Sequence, residues 1–366
     1  MKLSKIEVFS LNIPFKGSFR NAHGVKSGQN SIVLRILTDE GVTGLGNVDP
    51  DPGYSEESFS ETLTTIEEKF SPNLLGIDPL NIVAAIKRMD ELVQGHLDAK
   101  AAIEMALFDL KGKALGVPVC SLLGGKLREE IHLNGWIGML PPDEAAREAV
   151  AWLERGFRSA KIKIGSGVRE DQDRVQAVRG VVGNRMALRV DANEAYSVDD
   201  AIRLGQGLSR LDLTLFEQPV SRHDLDGMAR VRKAVEIPVM ADEAVLGPES
   251  LIAIIKKEAA DIIKVKVMKQ GGIYRTAHMI QMAEAAGLKC VIGHGFGLTI
   301  NTLAELHVAA SCENILEGCE FVGPLKIQKD VVSKPLQMEN GKVKVPHDSG
   351  LGAELDEAKL RECALV

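Results

Sequence analysis

Between residues 131 and 318 one motif recurs eight times: a short apolar run, then a stretch whose apolar residues fall at helical spacing. The expected strands are 131–138, 159–164, 187–191, 213–217, 238–242, 260–267, 289–293 and 314–318. Helices are expected between them, among them 143–155, 171–181, 198–209, 249–257 and 272–286. Eight such alternations predict an α/β fold, specifically a (β/α)8-type barrel. A doubly wound open sheet is the alternative on pattern alone, but no G-x-G-x-x-G follows an early strand to favour it.

The residues before this array follow another rule. KIEVFSLNI and SIVLRILTD read as strands on either side of a polar, glycine-containing stretch at 17–30. A turn at Asp39-Glu40-Gly41 then leads into VTGLGNV, which completes an antiparallel meander. From 56 to 115 the period becomes helical, with a strong apolar stripe through Ala101, Ala102, Met105, Ala106, Leu107, Leu110 and Ala114. Gly116 and Pro118 end it, and Gly124-Gly125 marks a boundary. The expected organisation is an α+β capping domain at 1–126, the barrel at 127–325, and a C-terminal segment at 326–366 that packs back on the capping domain.

Composition limits the partners. The 366 residues carry a net charge of −7, against the basic excess that nucleic-acid binding relies on. No apolar run reaches the length of a membrane span. The five cysteines are odd in number and have no C-x-x-C spacing, so free thiols in a reducing, cytoplasmic setting are expected rather than a thiolate zinc site. The expected partner is a small-molecule carboxylate, with no nucleic acid and no membrane.

Catalytic groups in such a barrel sit at the C-terminal ends of the strands. Three successive strands end in a carboxylate: Asp191, Glu217 and Asp242, each one strand–helix unit after the last. Side by side, three carboxylates cannot all stay ionised without a cation. Oxygen ligands favour a hard ion such as Mg2+, one per site. Lysines frame the trio. Lys161 and Lys163 share one strand face against Ile162 and Ile164, while Lys264 and Lys266 share another against Ile263, Val265 and Val267. The apolar faces belong against the helices, so the lysines point into the barrel mouth. Crowding Lys161 beside Lys163 is expected to lower a lysine pKa towards that of a general base. A base on each side of an α-carbon would remove a proton from one face and return it on the other. A Lys base with Mg2+ and an ene-diolate is one of the known solutions to this chemistry.

With these motifs in place, the chain resembles the enolase superfamily, and within it the muconate lactonizing enzyme subgroup. The resemblance runs through LLGGKLREEI, KIKIG, the DAN at Asp191, the FEQP at Glu217, the ADE at Asp242 and the KVMKQGG that starts at Lys266. It implies that Asp191, Glu217 and Asp242 are Mg2+ ligands and that Lys163 and Lys266 are the acid/base pair. It makes Lys161 a support for Lys163 and for the substrate carboxylate. It also implies that the loop near 17–30 and the end of strand eight shape specificity, and that the protein is a homo-oligomer.

Two departures bear on the substrate. Dipeptide epimerases of the subgroup carry an Asp-x-Asp pair near the end of strand eight, whereas this chain has Glu320 and then Val322. The segment GCEFVGP looks more like that of muconate cycloisomerases. His294 ends strand seven, as a histidine does in mandelate racemases, but the position matching its partner is Lys266. Asn193, His294 and Glu320 are expected to contact substrate, a structural loop histidine being the other reading of His294. The expected activity is Mg2+-dependent racemisation or epimerisation of an amino-acid derivative through an enolate, the substrate being an N-acyl amino acid, a dipeptide or a proline-like acid. The alternatives are muconate-type cycloisomerisation and dehydration of a hydroxy acid or hydroxyproline. A non-enzymatic, metal-stabilised binding protein would leave the inward lysines without a purpose.

Overall fold

The structure is a computed structural model, and it describes residues 1–21, 24–51 and 54–365. Strands β1 (Leu3–Asn21), β2 (Gly24–Thr38) and β3 (Thr43–Val48) form an antiparallel sheet. The long helix Leu97–Leu115 packs on it. The approach is close because β3 has no side chain at two points. A Cβ on Gly44 would lie 2.0 Å from the Ala106 carbonyl oxygen, and one on Gly46 2.0 Å from that of Ala102. The polar stretch at 17–30 is therefore mostly strand rather than loop. After an irregularity between Pro14 and Phe19, pairing resumes at Phe19 with Lys26, Arg20 with Val25 and Asn21 with Gly24. Backbone groups pair whatever the polarity of the side chains, which is why hydropathy misses this extension. Residues 22 and 23, also within the expected loop, lie outside the described residues.

The alternating region forms a curled parallel sheet. Its strands are β5 (Gly135–Ile137), β6 (Ser159–Lys163), β7 (Ala187–Asp191), β8 (Leu213–Glu217), β9 (Val239–Ala241), β10 (Ile262–Val265) and β11 (Lys289–Ile292), neighbours in sequence order. The expected eighth strand, 314–318, is replaced by single bridges. Ile315 pairs with Cys290 beside β11, and Cys319 pairs with Leu133 just before β5, so this one segment engages both edges of the sheet. The Glu320 amide donates to the Ile292 carbonyl at 2.9 Å, and the Asn134 amide to that of Cys319 at 2.9 Å.

The expected strand 131–138 is also divided. Its first part, β4 (Glu130–His132), leaves the parallel sheet and pairs antiparallel with β13 (Lys342–Lys344), which pairs with β12 (Met338–Glu339). At Leu133 and Asn134 the backbone changes partners, from Gly341 to Cys319. The rest of the tail lies along β1: Ile327 bridges Phe15, Ala364 bridges Leu11, and the Leu365 amide donates to the Ser10 carbonyl at 2.8 Å.

Inside the curl the side chains are layered. Leu215, Met240, Ile262 and Val291 form a buried apolar cluster of their own, touched by Leu316. Two residues further along three of the same strand runs, on the same face, come Glu217, Asp242 and Lys264. The apolar layer is thus the floor on which the polar site rests. No described helix is long and apolar enough to cross a membrane.

Candidate active site

The strand ends deliver the three carboxylates to one place. Asp191 and Glu217 are register partners on β7 and β8, and Asp242 follows directly after β9. All three are at most 2% exposed. Lysines supply the positive charge that such a cluster needs. Lys161 Nζ lies 3.0 Å from Glu217 Oε2 and 3.0 Å from Asp191 Oδ2. Lys264 Nζ lies 3.1 Å from Glu217 Oε1 and 3.9 Å from Asp242 Oδ2. Among the described residues no three acidic, histidine or cysteine side chains are already gathered as a metal cage; the two ammonium groups stand between the carboxylates. The donor chemistry nonetheless fits a hard divalent cation, since the buried set offers oxygen alone.

Lys163 and Lys266 stand on opposite sides of this cluster, on β6 and just beyond β10, with β7, β8 and β9 between them. Lys163 Nζ donates to Asp191 Oδ2 at 2.6 Å and to Asn193 Oδ1 at 2.7 Å. Lys266 Nζ donates to both Asp242 oxygens at 2.8 Å and sits 5.0 Å from the centre of the Tyr54 ring. Lys269 adds a third cation to Asp242, 2.6 Å from Oδ1.

Burial and charge act against each other here. Burial, then the neighbouring charge of Asp191, pushes the Glu217 carboxyl up to about 8 despite its two lysines. Burial would also raise Asp191, but Lys163 and Lys161 hold it down at about 2. Burial pulls Lys269 down to about 8, with Asp242 opposing. For Lys161, burial works against the charge, yet Glu217, Glu320 and Asp191 together carry it well above the usual lysine value. Crowding Lys161 beside Lys163 was expected to lower a lysine pKa, and for Lys161 the shift runs the other way. Three carboxylates lie within 3.0 Å of its Nζ, so Lys161 is a firm ammonium.

A cavity of about 420 Å³ opens above these groups. Lys161, Lys163, Asp191, Asp242, Lys264, Lys266, His294 and Glu320 reach it, with Phe19, Tyr54, Trp136 and Phe296 as aromatic walls. Glu217 and Asn193 do not line it. Asn193 stands behind the lysine, accepting from Lys163 and donating to Glu243 Oε1 at 2.9 Å. Glu320 touches the cavity, but its carboxylate is committed to Lys161 at 2.5 Å, to Lys264, and to Arg189 at 3.3 Å. His294 is held through its backbone amide by Glu305 at 2.8 Å, while its Nε2 has no hydrogen bond. Burial, then Lys266 and Lys326, keeps this imidazole neutral.

Sequence reading missed Lys326, Tyr54 and the aromatic walls. Phe19 comes from the β1–β2 hairpin, Trp136 from β5 and Phe296 from the loop after β11, so no local pattern joins them. Lys269 had a signal, since it lies within KVMKQGG three residues after Lys266.

Comparison with known proteins places this geometry. Residues 5–124 match the family described as mandelate racemase / muconate lactonizing enzyme, N-terminal domain, and residues 144–359 match the enolase C-terminal domain-like family. The chain is 35% identical over 363 residues to the N-succinyl-L-Arg/Lys racemase of Bacillus cereus, covering 99% of this chain and 98% of that protein. The crystal structure of the N-succinyl Arg/Lys racemase from Bacillus cereus aligns with a TM-score of 0.97 over 100% of this chain and 99% of that one. A dipeptide epimerase from Enterococcus faecalis, complexed with Mg and L-Leu-L-Tyr, aligns at 0.93 with 33% identity over 97% of this chain and 100% of that one. A muconate lactonizing enzyme from Pseudomonas fluorescens, complexed with muconolactone, aligns at 0.96 with 31% identity over 99% of both chains.

Proposed function

Since the chain belongs to the enolase superfamily, in its muconate lactonizing enzyme subgroup, we propose that it is a Mg2+-dependent racemase or epimerase of N-acylated amino acids. The observation that carries this reading is the pair Lys163 and Lys266, set on opposite walls of one cavity with the carboxylate trio between them. Asp191, Glu217 and Asp242 are the residues that would hold the ion. When bound, Mg2+ supplies a Lewis acid that stabilises negative charge developing on the substrate carboxylate. We read the parallel sheet and the bridging segment 314–320 as a (β/α)8-type barrel, the residues at 1–126 as its cap, and 326–366 as a tail shared between barrel and cap.

The remaining steps belong to the chain's own side chains. One lysine, as the free amine, takes the α-proton from its side of the substrate and leaves a planar enolate. The other, as an ammonium, returns a proton to the opposite face and so inverts the centre. Asp191 and Asn193 aim Lys163, and Asp242 aims Lys266. Lys161, a firm ammonium, offsets the charge of the substrate carboxylate. Glu320 positions Lys161 and Lys264 rather than gripping the substrate. Tyr54 covers Lys266, and burial, then the charges of Glu243, Asp191 and Asp242, keeps its phenol protonated. Among the relatives, the N-succinyl Arg/Lys racemase supports the N-acyl amino-acid class. Muconate-type cycloisomerisation is the second reading, supported by the strand-eight segment GCEFVGP and the muconate lactonizing enzyme alignment.

The test is α-proton exchange in D2O with Mg2+ and a panel of N-acyl amino acids, dipeptides and muconate. Incorporation with inversion is expected. Lys163→Ala and Lys266→Ala should each abolish racemisation, and each should slow exchange from one antipode by about 10²- to 10⁴-fold while sparing the other more. Full exchange from both antipodes in both variants would overturn the reading. Lactone formation from muconate without α-exchange would move it to the cycloisomerase.

A further inference from the structure

Every other lysine around the cavity has its charge answered. Lys161, Lys163, Lys264 and Lys266 each meet at least one carboxylate. Lys326 is the exception. It ends the short helix Gly323–Lys326, lines the cavity and is only 6% exposed. Among the described residues its Nζ makes no hydrogen bond and no ion pair. Three aromatic rings hold it instead: the Nζ lies 4.0 Å from the centre of Phe296, 4.5 Å from Trp136 and 5.0 Å from Phe19.

A caged ammonium with no anion is a costly arrangement to keep. Cation–π contacts return part of the lost hydration and fix the direction of the side chain, but they leave the charge itself unanswered. Burial, then repulsion from Lys163 and Lys161, presses Lys326 towards the neutral amine. An arriving anion would reverse that pressure. The rings around it provide a wall for an apolar spacer. In the racemase reading above the α-carboxylate lies beside Lys161, so a group that meets Lys326 is a second one.

We propose that Lys326 is the recognition residue for a second carboxylate on the substrate, carried at the end of a short apolar spacer that packs on Phe19, Trp136 and Phe296. This rests on the racemase reading above and names its substrate class: amino acids whose N-acyl group ends in a carboxylate. Phe19 ties this selectivity to the β1–β2 hairpin.

The experiment compares two substrates that differ only at the acyl terminus, the N-succinyl and N-butanoyl derivatives of one L-amino acid. Their kcat/KM for deuterium exchange is measured for the wild type, Lys326→Met and Lys326→Arg, each with Mg2+. The wild type should prefer the succinyl compound at least tenfold. Lys326→Met should reduce that preference at least tenfold, chiefly through KM, and Lys326→Arg should retain part of it. A lysine that only props the rings would leave the ratio unmoved, so an unchanged ratio, or a wild type indifferent to the terminal carboxylate, overturns the proposal. If neither compound exchanges deuterium, the racemase reading fails for this class, and the proposal is judged on binding. Glutarate should then raise the thermal midpoint more than valerate in the wild type but not in Lys326→Met, and equal shifts would overturn it.

Discussion

Glu217 shows how much depends on a single carboxylate. It is fully buried and receives Lys161 and Lys264 from opposite sides. Replacement by Gln preserves the shape and removes the charge, leaving Lys161 to Glu320 and Asp191, and Lys264 to Glu320 and Asp242. If Glu217 helps to hold the ion, Glu217→Gln should lower kcat for α-proton exchange by about 10³-fold, on the order of 4 kcal/mol of transition-state stabilisation. Exchange within tenfold of wild type would remove Glu217 from the ligand set. At this scale the sequence was informative about position. A carboxylate in the same place of three successive strand–helix units can be counted directly. It was uninformative about charge state. Reading Lys161 beside Lys163 suggested mutual repulsion, whereas the folded chain brings Glu217 and Glu320 to Lys161 from 56 and 159 residues away.

Among the elements, the helix Thr299–Ser311 is buried along nearly its whole length and carries His307 at 0% exposure. The His307 Nε2 meets the Leu351 carbonyl at 3.2 Å, joining this helix to the tail. Burial, opposed by that hydrogen bond, holds the imidazole at about 4, below its ordinary 6.5. The unfolded chain therefore binds the proton first as pH falls. Stability from this group is complete above about pH 6.5 and is lost progressively as pH drops towards 4. The slope should reach about 1.4 kcal/mol per pH unit. Urea unfolding from pH 7 to pH 4 should show this decline, and His307→Gln, which cannot be protonated there, should flatten it by up to one proton. Equal slopes in both proteins would show that His307 titrates normally. Elements were legible in outline: the strands carrying Lys161, Asp191 and Glu217 lie where the apolar runs end. Where the outline failed, one backbone served two sheets, as at Leu133 and Asn134, or a polar hairpin kept pairing beyond its apolar core.

For the whole molecule, the proposed ion is a stability term as well as a catalytic one. A ligand that binds the folded state alone stabilises it by about 2.7 kcal/mol at a hundredfold excess over Kd. Saturating Mg2+ should therefore raise the thermal midpoint, excess EDTA should reverse the rise, and Glu217→Gln should lose most of it. A midpoint that ignores Mg2+ in the wild type would count against the metal assignment.

What the sequence determined by itself is what period and register control. Alternating apolar runs and amphipathic helices encode a parallel α/β array, and a two-residue repeat decides which face of a strand a lysine or carboxylate takes. Such information is local, so it survives in the order of residues. The tertiary structure alone decided the partners. Glu320, expected at the substrate, lines the cavity and also meets Lys161, Lys264 and Arg189. Lys326 carried no signal and lies caged by Phe19, Trp136 and Phe296. The tail divides between β4 and β1. Each of these outcomes joins side chains or backbones from distant units, and the energy of a buried charge depends on every neighbour that the closed fold brings to it.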